Sequence, residues 1–154
     1  MTRPRKGPSR SYHHGDLRNA LIIAAAELID ERGSVDFAMI DAARRAGVSS
    51  AAPYRHFKDK AALLDAVLDF ALLVLGREME AVTRQHPAGS VAAIVALGQA
   101  YIRFVTGHPQ FYDLMWGDRD KRFINDVENE LRSSGFYLLV ATVEAWCQRS
   151  GRDG

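Results

Sequence analysis

The stretch Ala42 to Ser50, AARRAGVSS, constrains the fold of this chain more than any other part of the sequence. A helical pattern ends at Ala46, Gly47 follows at once, and a second helix is predicted within three residues of that glycine. So short a connection makes the two helices cross steeply and pack closely, which the small Ala43 permits. Gly47 can take the left-handed conformation that such a turn requires, and the apolar side chain of Val48 is expected to pack between the two helices. The stretch predicts a helix-turn-helix, although tight helix pairs also occur in purely structural bundles.

The remaining sequence has helical spacing almost throughout, and we find no alternating pattern long enough to indicate a β-strand. Asp16, Asp59 and Ser90 are predicted N-caps, and Gly33 is predicted to end the first helix. Predicted helices begin at about residues 16, 37, 50, 59, 90, 109 and 118. The last should extend to about residue 150, softened at residues 133–135. The fold class is therefore all-α.

The segment after the turn, SSAAPYRHFKDK, looks helical at both ends and contains a proline. With Ser50 as the N-cap, Pro53 falls at the third helical position, where its missing N–H has no intrahelical partner to lose. Ala51 and Ala52 leave the start of this helix slim enough to approach base edges and thymine methyl groups. This is the position of the helix that enters a major groove in helix-turn-helix proteins.

Four polar side chains follow this slim start within two turns. Tyr54 and His56 can donate to phosphate oxygens, and Arg55 can reach a phosphate or a guanine edge. Lys60 lies in the first turn of the next helix, where free N–H groups already favour a phosphate. Phe57 is predicted to turn inward as a core anchor. The alternative is that Tyr54 and Phe57 are both core aromatics and that the charges form a solvated face.

The charges are distributed unevenly along the 154 residues. Residues 1–60 carry a net charge of +4, from 11 Lys and Arg against 7 Asp and Glu, and residues 61–154 carry −3, from 9 against 12. Residues 1–11 contain four of these cations and no acid, and we expect them to form a disordered basic arm. A basic front half suggests a polyanion as its partner, but charge alone equally fits a solvated tail that binds nothing.

Several classes of protein are disfavoured. The longest apolar run, residues 70–75, is far shorter than the roughly 20 residues of a membrane span, and the basic N-terminus does not lead into a signal peptide. The single Cys147 can form no internal disulfide, which suits the cytoplasm. Adjacent His13 and His14 cannot both face one metal ion from a helix. We find no catalytic or cofactor-binding motif, so we expect neither an enzyme nor a cofactor.

The second half of the chain is rich in aromatic residues, with nine of the 14 lying beyond position 100. Such side chains can line an apolar ligand cavity between helices. The alternative is ordinary core packing. The residues predicted to line a cavity are Tyr101, Phe104, Phe111, Met115 and Trp116. A small, largely apolar molecule would be the expected ligand.

The blocks Ala-Gly-Val-Ser, Tyr-x-His-Phe and Lys-x-x-Leu-Leu, together with the first helix, resemble the TetR family of bacterial transcriptional regulators over about residues 12–68. A weaker similarity lies in HPQFYDLMWG. The resemblance implies a helix-turn-helix DNA-binding domain at residues 12–58 and a helical ligand-binding body at residues 59–154. Members usually act as homodimeric repressors that leave a palindromic operator when a small molecule binds.

The resemblance also assigns roles to residues of the two predicted helices. Ala43, Gly47 and Val48 match the structural turn of the family. Base-facing positions are those of Ser50, Ala51 and Arg55. Phosphate-contacting positions are those of Tyr54, His56 and Lys60. The residues predicted to bind double-stranded DNA are therefore Ser49, Ser50, Ala51, Tyr54, Arg55, His56 and Lys60.

Three departures from the family pattern bear on these expectations. Ala38 stands where a capping Ser or Thr is usual, so Asp36 is expected to cap the second helix instead. Pro53 replaces a residue that is more often Leu, which predicts a shortened recognition helix. The polar tail CQRSGRDG stands where the family's last two helices, which build the dimer interface, would begin. A ligand-responsive repressor remains the leading hypothesis, with a helical protein-interaction module that does not bind DNA, or a protein that sequesters apolar molecules, as alternatives.

Overall fold

The computed structural model describes residues 14–116 and 135–151. Within these ranges every regular element is helical, as predicted. The α-helices are α1 (His14–Arg32), α2 (Met39–Arg45), α3 (Lys60–Thr83), α4 (Val91–Gly107), α5 (Pro109–Trp116) and α6 (Gly135–Ser150), and a 3₁₀ turn covers Pro53–Arg55. The first 17 residues predicted for the last helix, 118–134, lie outside the described part of the chain.

Three of the predicted helix boundaries can be compared with the structure. Asp59 and Ser90 cap α3 and α4, since their side chains accept the N–H groups of Ala62 at 2.8 Å and Ala93 at 3.1 Å. The prediction of Asp16 as the first N-cap is wrong, because α1 already begins at His14. A helical run there continues through Asp16 rather than starting after it.

The first three elements form a small unit that we call the head: α1, α2 and the 3₁₀ turn. Its core contains the fully buried Leu21 and Ile29 of α1, together with Phe37 and Phe57 from the two connecting loops. The guanidinium carbon of Arg18 lies 5.2 Å from the centre of the Phe57 ring, and this cation–π contact covers the outer side of that ring. Phe57 is therefore the inward anchor that the sequence predicts.

The long helix α3 joins the head to the second unit, which we call the body and which consists of α4, α5 and α6. At 24 residues, α3 is roughly 36 Å long. The apolar residues at helical spacing along α3 are buried from Leu64 to Met79, and Val82 at the end of the helix is half-buried. Both units pack against this helix, with α1 on the head side and α4, α5 and α6 on the body side.

Helix α6 packs closely against the loop between α3 and α4. Gly89 in that loop has a φ of +64°, and a β-carbon added there would lie 2.7 Å from the carbonyl carbon of Ala145. Arg149 of α6 donates to the carbonyl oxygen of Ala88 in the same loop. The glycine thus allows two backbones to approach where any side chain would separate them.

Two side chains of the body bond directly to the head. His108 and Gln110, at the junction between α4 and α5, place Nδ1 and Nε2 at 2.8 and 2.6 Å from the same carboxylate oxygen of Asp30 in α1. Because that oxygen is an acceptor, Nδ1 of His108 carries the proton in this arrangement. The head is therefore attached to the body through these hydrogen bonds as well as through α3. Among the described helices, none is long and apolar enough to cross a membrane.

Candidate nucleic-acid interface

The turn between α2 and the 3₁₀ turn has the geometry that the sequence predicts. Gly47 has a φ of +69°, and its N–H donates to the carbonyl of Arg44 at 3.1 Å. The N–H of Val48 donates to the carbonyl of Ala43 at 3.0 Å. These two bonds form a Schellman motif, which satisfies the last carbonyl groups of α2 and reverses the chain. Ala43 is 1% exposed, so its small side chain lies in the close contact for which it was predicted.

The start of α2 is stabilised differently from the prediction. Asp36 was expected to cap this helix, but Ala38 occupies the N-cap position and its N–H donates to a carboxylate oxygen of Asp41 at 3.1 Å. That hydrogen bond is the main reason that the pKa of Asp41 is lowered. An acidic residue three positions into a helix can bond back to the N-cap N–H, and this half of a capping box is still available when the cap is an alanine without a side-chain acceptor. Arg32 of α1 donates to the same carboxylate at 3.3 Å.

The segment predicted to enter a major groove, residues 49–57, which we call the recognition segment, contains no regular α-helix. The prediction that Ser50 is its N-cap is wrong: the 3₁₀ turn begins at Pro53, with Ala52 in the cap position. The ring of Pro53 is fully buried, and proline is favoured at the first helical position because its φ is already helical. The preceding residues form a separate turn, closed by the N–H of Ala52 donating to the carbonyl of Ser49 at 2.9 Å. The shortening expected from Pro53 is confirmed.

The side chains predicted to bind DNA lie mostly on the outside of this segment. Tyr54 is 63% exposed, so the alternative that makes it a core aromatic is wrong. His56 and Lys60 are half-buried. The remaining predicted contacts are exposed, namely Ser49, Ser50, Ala51 and Arg55. Burial of Pro53 and Phe57 on either side fixes the backbone, so these side chains are displayed from a rigid support.

Lys60, the first residue of α3, is oriented by a contact within the head. Its ammonium nitrogen lies 4.9 Å above the centre of the Phe37 ring, and Phe37 itself is 4% exposed. A cation over an aromatic face is held electrostatically, which limits the number of directions in which the side chain can point. The arrangement places a positive charge at the N-terminus of α3, next to the recognition segment, as the sequence predicts.

An ion-pair cluster that sequence reasoning missed holds α2 against α1. Arg45 donates through Nε to Glu27 at 2.7 Å and through Nη1 to Glu31 at 2.6 Å, and Nη2 contacts the second oxygen of Glu31. These bonds lower the pKa of Glu31 and raise the pKa of Arg45. Glu27 and Glu31 are four residues apart and so share one face of α1. Nothing local in the sequence, however, indicates that this face meets Arg45.

A second feature that the sequence did not reveal is a depression of about 240 Å³ between α2 and the recognition segment. We call it the α2 depression. Its lining consists of Ile40, Ala43, Arg44, Val48 and Ser50. Ser50 is one of the predicted base-facing residues, so the depression borders the surface on which the DNA contacts are predicted.

The residues predicted to line an effector cavity lie in the body. Phe104 and Phe111 are each 6% exposed, and their ring centres are 5.4 and 5.9 Å from that of His108. Tyr101 is half-buried at the edge of the same core. The side chains of Met115 and Trp116 lie outside the described part of the structure. The structure thus groups Phe104 and Phe111 around one histidine, and their role in ligand binding stays a prediction.

The head also has counterparts among characterised sequences. Residues 21–67 match the family described as "Bacterial regulatory proteins, tetR family". The chain is 36% identical over 89 residues to the HTH-type transcriptional regulator BetI of Brucella canis, and 36% identical over 83 residues to BetI of Serratia proteamaculans. These matches cover 56% and 51% of this chain, but only 45% and 42% of the relatives, so the chain spans about half of their length.

A solved structure is similar over almost the whole chain. It is that of a protein with unknown function from Rhodococcus sp. RHA1, which has a TM-score of 0.74 and 32% sequence identity. The similarity covers 95% of this chain and 75% of that one. The arrangement of head, α3 and body is therefore shared with another protein, whereas the matches to the curated relatives cover only about half of this chain.

Proposed function

The chain is a member of the TetR family of helix-turn-helix regulators through residues 21–67, and on this premise we propose that it binds specific double-stranded DNA sequences and so regulates transcription. One observation carries the proposal. Tyr54 and Arg55 project into solvent from a segment whose Pro53 and Phe57 are buried, directly after the turn closed by Gly47. A fixed backbone that presents exposed donors suits recognition of a groove. Because the backbone is already ordered, binding loses little conformational entropy in this segment.

The proposed contacts divide into two classes. Tyr54, His56 and Lys60 would bind phosphate oxygens, which position the head without reading sequence. Arg55, with Ser50 beside it, would face the base edges of the major groove, where a guanidinium can bond to the two acceptors of guanine. The exposure of Ser50, Tyr54 and Arg55 and the position of Lys60 at the N-terminus of α3 support these contacts.

The finer features of the function follow from family membership. We propose a cytoplasmic homodimer that represses transcription from a palindromic operator and is released by a small apolar effector. The DNA-binding domain would comprise residues 12–58, and the effector would bind within residues 59–154. Two aromatic side chains of the body, Phe104 and Phe111, lie in its core next to the junction that bonds to α1, which supports an effector site there.

Selection of bound sequences from a random DNA pool tests the proposal directly. A palindromic consensus is expected, because two-fold symmetric dimers bind symmetric half-sites. Gel-shift titrations on that consensus should then show an affinity that falls steeply with salt concentration. No preferred sequence at any salt concentration would refute DNA recognition and favour the alternative of a protein-interaction module.

Substitutions then separate the two classes of contact. Lys60→Ala should weaken binding to all sequences and reduce the slope of log affinity against log salt by about 0.9, the value expected for one lost phosphate contact. Tyr54→Phe should weaken binding to all sequences with an unchanged slope, because it removes a neutral donor. Arg55→Ala should relax the preference at particular base pairs. The matched control is Arg103→Ala, which removes an exposed cation from α4 in the body. It should leave the affinity, its salt dependence and the sequence preference unchanged.

A further inference from the structure

The α2 depression is lined in part by apolar side chains, which is unusual for a surface proposed to face a polyanion. Ile40 is 44% exposed, although the buried side of α2 is formed by Met39, Ala42 and Ala43. The isoleucine therefore does not serve the core of the head. Ile40, Val48 and Ala43 are the apolar residues that line the depression, which has a volume of about 240 Å³ and is open to solvent.

The rim of the same depression is polar and positively charged. The side chain of Arg44 is 75% exposed, and it forms a surface ion pair with Asp41 at 3.3 Å. Such a pair is weak in water, so the guanidinium is able to take a different anion. Ser50 forms the other side of the rim and belongs to the segment proposed to face the bases. The depression thus combines apolar lining residues, a cationic edge and continuity with the proposed interface. These three features indicate the chemistry of the group that fits it.

A major groove offers only one kind of apolar group on its base edges, the C5-methyl group of thymine. We propose that the α2 depression receives this methyl group, with Ile40 and Val48 in contact with it and Arg44 on a neighbouring phosphate. The inference rests on the proposed function and adds the residue that selects a base. Ile40 is then a specificity-determining residue that acts by apolar contact, one helix before the recognition segment.

The test uses deoxyuridine, which keeps every hydrogen-bonding group of thymine and lacks the methyl group. Each thymine of the selected operator is replaced in turn, and affinity is measured by gel shift with the full chain. At one thymine per half-site the wild-type protein should lose roughly fourfold in affinity, the amount expected for one buried carbon group. Ile40→Ala should discriminate less strongly than wild type between the thymine and deoxyuridine operators, because Val48 is then the only one of the two proposed methyl contacts that remains.

Two further variants make the result specific. Arg44→Ala should bind more weakly with a shallower salt dependence, yet keep the preference for thymine over deoxyuridine. Ile102→Ala removes an isoleucine that is 58% exposed on α4, and should behave as wild type. Both isoleucines are exposed, so neither alanine variant opens a cavity in a core.

The outcomes separate this inference from the function on which it rests. If an operator is selected but no thymine is sensitive to loss of its methyl group, the inference is overturned while DNA recognition stands. The same holds if the preference for thymine over deoxyuridine is as large in Ile40→Ala as in wild type. If no operator is selected, both fail together.

Discussion

Replacement of Gly89 by alanine should destabilise the protein by about 1–3 kcal/mol more than the same change at Gly33. Two effects act at this position. The φ of +64° is left-handed, which an alanine adopts at a cost of roughly 1–2 kcal/mol. The added methyl group would also lie 2.7 and 2.9 Å from the backbone carbonyl carbon of Ala145 and the backbone nitrogen of Trp146.

The second effect can be given a magnitude because the neighbouring atoms belong to a helix backbone. A side chain could rotate away, but the backbone of α6 can move only together with its helix. Forcing an extra carbon into a packed contact typically costs about 1–3 kcal/mol. The total for Gly89→Ala is therefore about 2–5 kcal/mol, of which about 1–3 kcal/mol reports on the contact between α6 and the loop.

The matched control is Gly33→Ala. Gly33 has nearly the same φ, +62°, but a β-carbon there would meet nothing within 4 Å. Urea unfolding of both variants, followed by circular dichroism, gives the difference between them directly. Equal free energies of unfolding, within about 0.5 kcal/mol, would refute the close approach of α6 to this loop.

The remaining predictions concern charge and the core. Partial desolvation and the charge of Asp65 raise the pKa of Asp69, although this residue is exposed at the surface of α3. The folded state therefore disfavours its ionisation and loses stability as pH rises through the folded pKa. Asp69→Asn should raise Tm slightly at pH 7, and the gain should vanish below the unfolded value of 3.8. The bond from the Ala38 N–H lowers the pKa of Asp41. The contribution of this carboxylate to the stability of the fold is therefore present above pH 3.8 and is lost as pH falls through the folded pKa. Asp41→Asn should therefore have a smaller loss of Tm than wild type between about pH 5 and about pH 2, and an equal loss would contradict this reasoning. Leu63 is fully buried, and Leu63→Ala should cost about 2–5 kcal/mol in urea unfolding, whereas Leu73→Ala, at a position 48% exposed on the same helix, should cost much less.

The sequence predicted best those features whose causes are local. The turn at Gly47 depends on one glycine and a few backbone bonds within six residues, and all of them are encoded side by side. The start of the recognition segment was predicted wrongly because it depends on burial of the Pro53 ring, which is decided by the other elements of the head. The bonds of Arg45 to Glu31 join residues 14 positions apart, and the α2 depression appears only when two elements meet. Neither has a periodicity that a sequence could display.

The two hydrogen bonds that Asp30 accepts from His108 and Gln110 have a mechanical consequence. The head is held by the packing of α1 on α3, and the bonds at 2.8 and 2.6 Å add a second attachment to the body. Any displacement of the junction between α4 and α5 must therefore either carry Asp30 with it or break these bonds. That makes a single carboxylate of α1 the place where the end of α4 and the start of α5 are coupled to the head.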